Sequence, residues 1–370
     1  MKRIRLGCAP LYPPTELLHA MGLTPISIWG KTMGRPAKVP LADSRLQPYV
    51  CGLARQLTQQ LIPGQNGSDN GLSLDGLLFY NACDTLRNLP EILTRALPRL
   101  PLLTFHLPEI SLESGSGQDC LAREIQSLIQ NLENTFGCRF SRTRFHDSVL
   151  LFRELRRAVE KLEQLAQAGK LNFSDWVDLM EDLPAQTPEA GLKKLNQALA
   201  SAPSTPRCRG PRILVSGIRP PANPEDVDRA GLWVVADDFA LAHRSHGYIP
   251  KVTDDPLAYY LDLYTHHIPC STLHHTAPKR WAHLKTRLCQ SRAQGVVFWG
   301  EKFCEYEYFD LPDIREKLRR NGFPSLVLET SLDGGVPGET QRTRLEAFAE
   351  LLENSPAPQW TSHQGETSHG

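Results

Sequence analysis

Leu77-Leu78-Phe79-Tyr80, followed by Asp84-Thr85-Leu86-Arg87-Asn88-Leu89 and then by Leu102-Leu103-Thr104-Phe105, decides the fold class. A short apolar run bounded by polar residues predicts a buried strand, the stretch over 84–97 a helix, and the second apolar run another strand. The same alternation runs upstream. Ile4-Arg5-Leu6 is strand-like, Thr15 can cap a helix that Gly22 ends, and Pro25-Ile26-Ser27-Ile28-Trp29 is strand-like again. A helix is expected over 47–62, and the turn residues from Gly64 to Gly71 predict a polar loop. Strands alternating with helices imply a parallel sheet covered on both faces.

Downstream the pattern changes. From 119 to 200 it is helical, with Leu151, Leu155, Val159, Leu162 and Leu165 on one face. Ser201-Ala202-Pro203-Ser204-Thr205-Pro206 is a linker composition. Arg212-Ile213-Leu214-Val215-Ser216-Gly217 opens a second α/β series, with strands at 232–235, 295–299 and 325–328 and helices over 279–292, 311–321 and 339–353. The expected architecture is therefore α/β, two Rossmann-like parallel-sheet domains joined by a helical segment. The boundaries are 1–118 for the first domain, 119–205 for the helical connector and linker, 206–354 for the second domain, and 355–370 for a disordered tail poor in apolar residues.

Composition excludes several functions. Lysine and arginine total 41 and so do aspartate and glutamate, giving a net charge of zero over 370 residues. No positive field is available to hold a polyanion, so nucleic acid is not the expected partner. Mean hydropathy is −0.34 and no apolar run reaches the length of a membrane span. No apolar h-region follows Met1-Lys2-Arg3, so no secretory signal is expected and the reading is cytoplasmic. The nine cysteines form no CxxC pair, which removes the local signatures of zinc ribbons and thioredoxin motifs. Any metal site must be assembled from distant segments.

Several segments together carry a resemblance. They are Pro14-Thr15-Glu16-Leu17-Leu18-His19-Ala20-Met21-Gly22-Leu23-Thr24-Pro25, Gln47-Pro48-Tyr49-Val50-Cys51, Asn81-Ala82-Cys83-Asp84-Thr85-Leu86-Arg87-Asn88-Leu89, and Lys302-Phe303-Cys304 with Leu326-Val327-Leu328-Glu329-Thr330 and Gln341-Arg342-Thr343-Arg344. Read in this order the chain resembles the 2-hydroxyacyl-CoA dehydratase and benzoyl-CoA reductase family, as an iron–sulfur subunit of the D-component type. The resemblance implies one [4Fe-4S] cluster per chain held by Cys51, Cys83 and Cys304 in the interdomain cleft, with one iron position open. It implies one-electron chemistry on an acyl-CoA, through a ketyl radical in the dehydratases or ring reduction in the aromatic reductases. It implies as partners a paralogous subunit or second copy, an ATP-dependent iron–sulfur activator, and the acyl-CoA substrate.

The residue pattern fits that reading. Cys83 and Cys304 each follow an expected strand and precede a helix, where open α/β sheets place their sites. A helix N-terminus is also expected to lower a thiol pKa. Glu16 and His19, a helical turn apart, are candidate acid–base groups, against the simpler reading of a dipole-complementing carboxylate and a packing histidine. Cys270 is a candidate additional ligand, which would accompany a double-cubane cluster in a stand-alone reductase of small molecules. A scaffold subunit without a cluster is the alternative from another class. His266, His267, His274 and His275 resemble a zinc set only by composition, and Asp237-Asp238 either orient a substrate or cap a helix. Ser216-Gly217 begins no phosphate-loop motif, so ATP, if used, belongs to a partner. Only a few residues precede Pro14, fewer than the resemblance implies for a catalytic subunit, which puts direct substrate binding in question and leaves two expectations, a smaller electron-relaying subunit or a relative with a different substrate.

Overall fold

Two parallel sheets of the same strand order organise the chain. A computed structural model describes residues 4–9, 11–28, 46–47, 49–62, 73–330, 338–356 and 358. The first sheet comprises β1 (Ile4–Ala9), β2 (Leu23–Ser27), β3 (Gly76–Tyr80) and β4 (Leu102–Phe105), in the order β2-β1-β3-β4 with every pairing parallel. Helices α1 (Thr15–Ala20), α2 (Gly52–Leu61) and α3 (Asp84–Ala96) make its crossovers. A helical stretch follows: α4 (Gly115–Phe136), α5 (Arg142–Gln167), α6 (Phe173–Asp182) and α7 (Pro188–Ala200). Ser114 and Ser141 cap α4 and α5 by accepting backbone N–H bonds from Gly117 and Arg144.

The second half contains β5 (Arg212–Gly217), α8 (Glu225–Arg229), β6 (Trp233–Phe239), α9 (His243–His246), α10 (Pro256–Thr265), α11 (Arg280–Ser291), β7 (Gly295–Glu301), α12 (Glu305–Arg320), β8 (Ser325–Thr330) and α13 (Gly338–Glu353). Its sheet order, β6-β5-β7-β8, is again all parallel and repeats the first. Both faces are covered, which the two-residue side-chain period of a strand makes visible. Ile213, Val215, Val297 and Trp299 pack towards α5, α6 and α13, while Leu214, Val296 and Phe298 pack towards α11 and α12. Gly217 ends β5 where a Cβ would lie 2.4 Å from the Trp299 carbonyl oxygen, so only glycine allows this approach.

The cores do not follow the order of the sequence. The 26 residues of α5 extend about 39 Å, and the helix serves both cores: Phe145 and Val149 sit in the first, Leu155, Val159 and Leu162 in the second. Tyr259, Tyr260 and Tyr264 of α10, with Cys270 beyond it, belong to the second α/β series by sequence yet pack into the first core. The halves are thereby interlocked rather than merely tethered.

Two helices begin elsewhere than the pattern predicts. The helix expected from 47 starts at Gly52, because Gln47–Val50 forms a turn and Cys51 is extended at the cap. The helix expected from 311 starts at Glu305, and Pro312, which reads as a helix start, is accommodated inside it. The polar loop expected over 64–71, residues 357 and 359–370 of the tail, Trp29 and Pro48 lie outside the described residues.

Candidate functional site

Three helix N-termini bring three cysteines together. Cys51 caps α2, Cys83 caps α3 and Cys304 caps α12. Cys83 follows β3 and Cys304 follows β7, which hold equivalent places in the two sheets. The duplicated topology therefore sets one cysteine at the carboxyl end of each central strand, beside the crevice where the strand order reverses. First-turn N–H groups point at each sulfur: Leu53 and Ala54 at Cys51, Thr85 and Leu86 at Cys83, Glu307 at Cys304. The Leu86 N–H donates to the Cys83 sulfur at 3.5 Å.

The thiols also sense one another. Charge on Cys83 acts on Cys51, and charge on both Cys51 and Cys83 acts on Cys304. Burial pushes Cys51 up to about 12, Cys83 upward, and Cys304 well above the usual thiol range, despite the N–H donors. The depressed thiol pKa expected from helix N-termini alone is thus corrected, because desolvation of the sulfur outweighs the helix end. Carboxylates add to this: Glu301 acts on Cys51, Asp84 and Glu305 on Cys83, and Glu307 on Cys304. Such a cradle is poor company for bare thiolates and good company for a cationic iron–sulfur core, which neutralises them; the donor set fits that group. Among the described residues no three His, Cys, Asp or Glu side chains could hold a single metal ion. A cubane differs, since its protein ligands sit on separate irons.

The cradle is held in an unusual shape. Phe303, just before Cys304, adopts φ +64°, the left-handed region that side chains avoid. Gly300 leaves room for the Tyr308 hydroxyl, which would lie 2.4 Å from an added Cβ. Behind the cysteines runs a buried polar chain that the sequence did not announce. Tyr80, ending β3, donates to Thr272 at 3.2 Å, and the Thr272 hydroxyl lies 3.3 Å from the Cys270 sulfur. Arg244 donates to Cys270 at 3.5 Å, to Ser216 at 3.3 Å and to both Asp238 oxygens at 3.0 and 2.7 Å, and its guanidinium lies 3.9 Å from Glu307. Burial pushes the Glu307 carboxyl up to about 7, against the pull of Arg244 and Arg280. Glu307 sits three residues after its cap, the spacing of a capping box, and could have been found by that signal; nothing in the local sequence distinguishes Arg244.

Glu16 and His19 lie elsewhere, in the seam of α1 with α5 and α10. Glu16 is fully buried and accepts from Arg156 at 2.6 Å, Tyr259 at 2.9 Å and Tyr260 at 3.2 Å. Burial alone would raise its carboxyl; Arg156 holds it below the ordinary value. His19 meets Ser148 at 3.0 Å through Nδ1 and Glu189 at 3.1 Å through Nε2. Both side chains are thus fully engaged, in a buried ion pair and a hydrogen-bonded imidazole. Asp237 accepts the backbone N–H bonds of Phe239 and His243, a capping role for α9, while Asp238 faces Arg244. His267 is bonded to the Ile268 carbonyl, His275 to that of Tyr264 and His266 to Asp262, and His274 lies edge-on to Tyr306.

A family model, the 2-hydroxyglutaryl-CoA dehydratase D-component, matches residues 10–352 and so spans all three cysteine caps. The chain belongs to that family. Among similar proteins, the beta subunit of (R)-phenyllactyl-CoA dehydratase from Clostridium sporogenes is 22% identical over 355 residues, covering 94% of this chain and 91% of the relative. The beta subunit of (R)-2-hydroxyglutaryl-CoA dehydratase from Acidaminococcus fermentans is 24% identical, covering 94% and 92%. A benzoyl-CoA reductase subunit from Thauera aromatica is 24% identical, covering 88% and 85%. Each relative is named as a subunit of a larger enzyme. Among the described residues, no helix of this D-component chain is long and apolar enough to cross a membrane.

Proposed function

We propose that this chain is the iron–sulfur subunit of a 2-hydroxyacyl-CoA dehydratase or aryl-CoA reductase, holding one [4Fe-4S] cluster through Cys51, Cys83 and Cys304. The observation that carries the reading is the convergence of three cysteine helix caps from both halves of a D-component chain. When bound, such a cluster supplies electrons singly and an iron that can act as a Lewis acid. The protein does the rest. The N–H groups of Ala54, Leu86 and Glu307 compensate negative charge on the sulfurs, and partial burial of the thiols limits water. The nearby carboxylates disfavour further negative charge, which favours a low reduction potential.

An acyl-CoA substrate, a paralogous subunit or second copy, and a separate ATP-hydrolysing iron–sulfur activator complete the proposal. The names of the relatives support the first two. The test is anaerobic purification with iron and acid-labile sulfide measured beside Cys83→Ser. About four of each per chain, lost in the variant, is the expected result. A folded wild-type chain that takes up no iron after anaerobic reconstitution overturns it.

A further inference from the structure

Among the described residues six large hydrophobic side chains stand in solvent, and three of them flank the cysteine caps. Tyr49, 68% exposed, lies two residues before Cys51, and Phe303, 42% exposed, immediately precedes Cys304. Phe309, 78% exposed, follows one helical turn after the exposed Glu305 on the outer face of α12. Charge on Cys51 acts on Cys304, so these rings, drawn from both halves of the chain, border one cradle. Single exposed apolar residues are ordinary, but aromatic rings gathered around one site are the composition of a protein interface.

Phe303 adds a second, independent sign. Its φ of +64° is a costly backbone conformation, yet the ring gains little burial from it and lies 5.3 Å from the Lys302 ammonium. An aromatic ring is thus held outward in a strained position that burial within one chain does not offset. Strain of this kind collects at surfaces that act on something else.

The charges on the rim narrow what covers it. Lys302, Glu305 and Asp84 are exposed and make no ion pair among the described residues, whereas neighbouring Arg87 is matched by Glu109. Unmatched charges of both signs, set among aromatic rings, make a surface that can complement itself. A two-fold contact requires this, since residue i of one copy meets residue j of the other and j meets i. The chain carries no net charge, so no long-range field repels a second copy. We propose that the rim of the cysteine cradle is a two-fold interface with a second copy of this chain, in which Lys302 of each copy pairs with Glu305 of the other. This interface deepens the subunit reading on which it rests, by selecting the second copy over a paralogue.

The experiment is sedimentation equilibrium of the full chain, purified anaerobically, at about 1 to 100 μM, where a dimer is expected. Tyr49→Ser and Phe309→Ser should each weaken dimerisation about tenfold, as loss of a well-packed interfacial ring does. Lys302→Glu and Glu305→Lys should each weaken it by about as much, because like charges then meet. An equimolar mixture of those two charge variants should return to within about threefold of wild type, since opposite charges face each other again at both symmetric contacts. Damage within either chain would not be repaired by mixing. A wild-type chain that stays monomeric overturns the proposal and leaves this face to a different subunit. A dimer that no rim variant weakens overturns it too, as do charge variants that the mixture does not restore. Iron content measured on the same samples separates the two readings: iron-loaded monomers overturn the interface alone, and an iron-free dimer overturns the cluster alone.

Discussion

The Arg244 guanidinium clasps the Asp238 carboxylate through two hydrogen bonds, 3.0 and 2.7 Å, with almost no solvent reaching either side chain. A buried pair of this kind adds little over a well-packed apolar pair, but breaking it strands a charge. Arg244→Met is therefore expected to cost about 3 to 5 kcal/mol in urea denaturation at about pH 7. Burial opposes ionisation of Asp238, yet Arg244 holds its pKa well below the usual range. A depressed folded-state pKa contributes stability that is present above the unfolded value and lost as pH falls, so the gap between wild type and Arg244→Met should narrow below about pH 4.

Glu16 and Arg156 make the parallel case in the seam between α1 and α5. Glu16→Gln leaves Arg156 buried beside a neutral amide and should lower stability by about 3 kcal/mol, while Glu16→Gln with Arg156→Met recovers much of the loss. Iron content per folded chain should be unchanged in both. A Glu16→Gln protein with wild-type stability but reduced turnover in the assembled enzyme would instead assign Glu16 to acid–base work.

The cysteine cradle predicts a pH dependence of its own. With burial pushing Cys51 up to about 12 and Cys304 well above the usual thiol range, the metal-free chain holds these thiols protonated near neutrality. Alkylation by iodoacetamide at about pH 8 should therefore be much slower at Cys51 and Cys304 than at an ordinary thiol, and should accelerate as pH rises. Peptide mass spectrometry reads this directly. Because ligation releases those protons, anaerobic reconstitution should proceed further at about pH 9 than at about pH 7.

Phe303 offers a test of backbone strain. Its side chain is 42% exposed, so truncation loses little burial, but its φ of +64° persists in any residue with a Cβ. Phe303→Gly should be more stable than Phe303→Ala by about 1 kcal/mol in urea denaturation of the metal-free chain. Equal stabilities would mean that the loop relaxes out of the left-handed region once the ring is gone.

The alternation of apolar runs such as 77–80 with a helical stretch such as 84–97 made two parallel sheets legible, since a strand buried on both faces must be apolar throughout. Cys83 and Cys304 were legible as strand-end residues by the same logic. Cys51 required more: its helix begins later than the residue pattern suggests, because the turn at 47–50 carries no periodic signal. Arg244 was not legible, because its partners Asp238, Ser216, Cys270 and Glu307 are contributed by separate segments.

What the sequence by itself determined was the kind of layer and the place of Cys83 and Cys304 just beyond strand ends, both local matters of periodicity and residue chemistry. Only the tertiary structure decided that α10 crosses into the first core, that α5 serves both cores, and that three cysteines from distant segments come near enough for charge on one to act on another. It also decided that burial raises the thiols which the helix ends alone would lower. Solvent exclusion and long-range pairing depend on what folds against a residue, and no short window of sequence contains that.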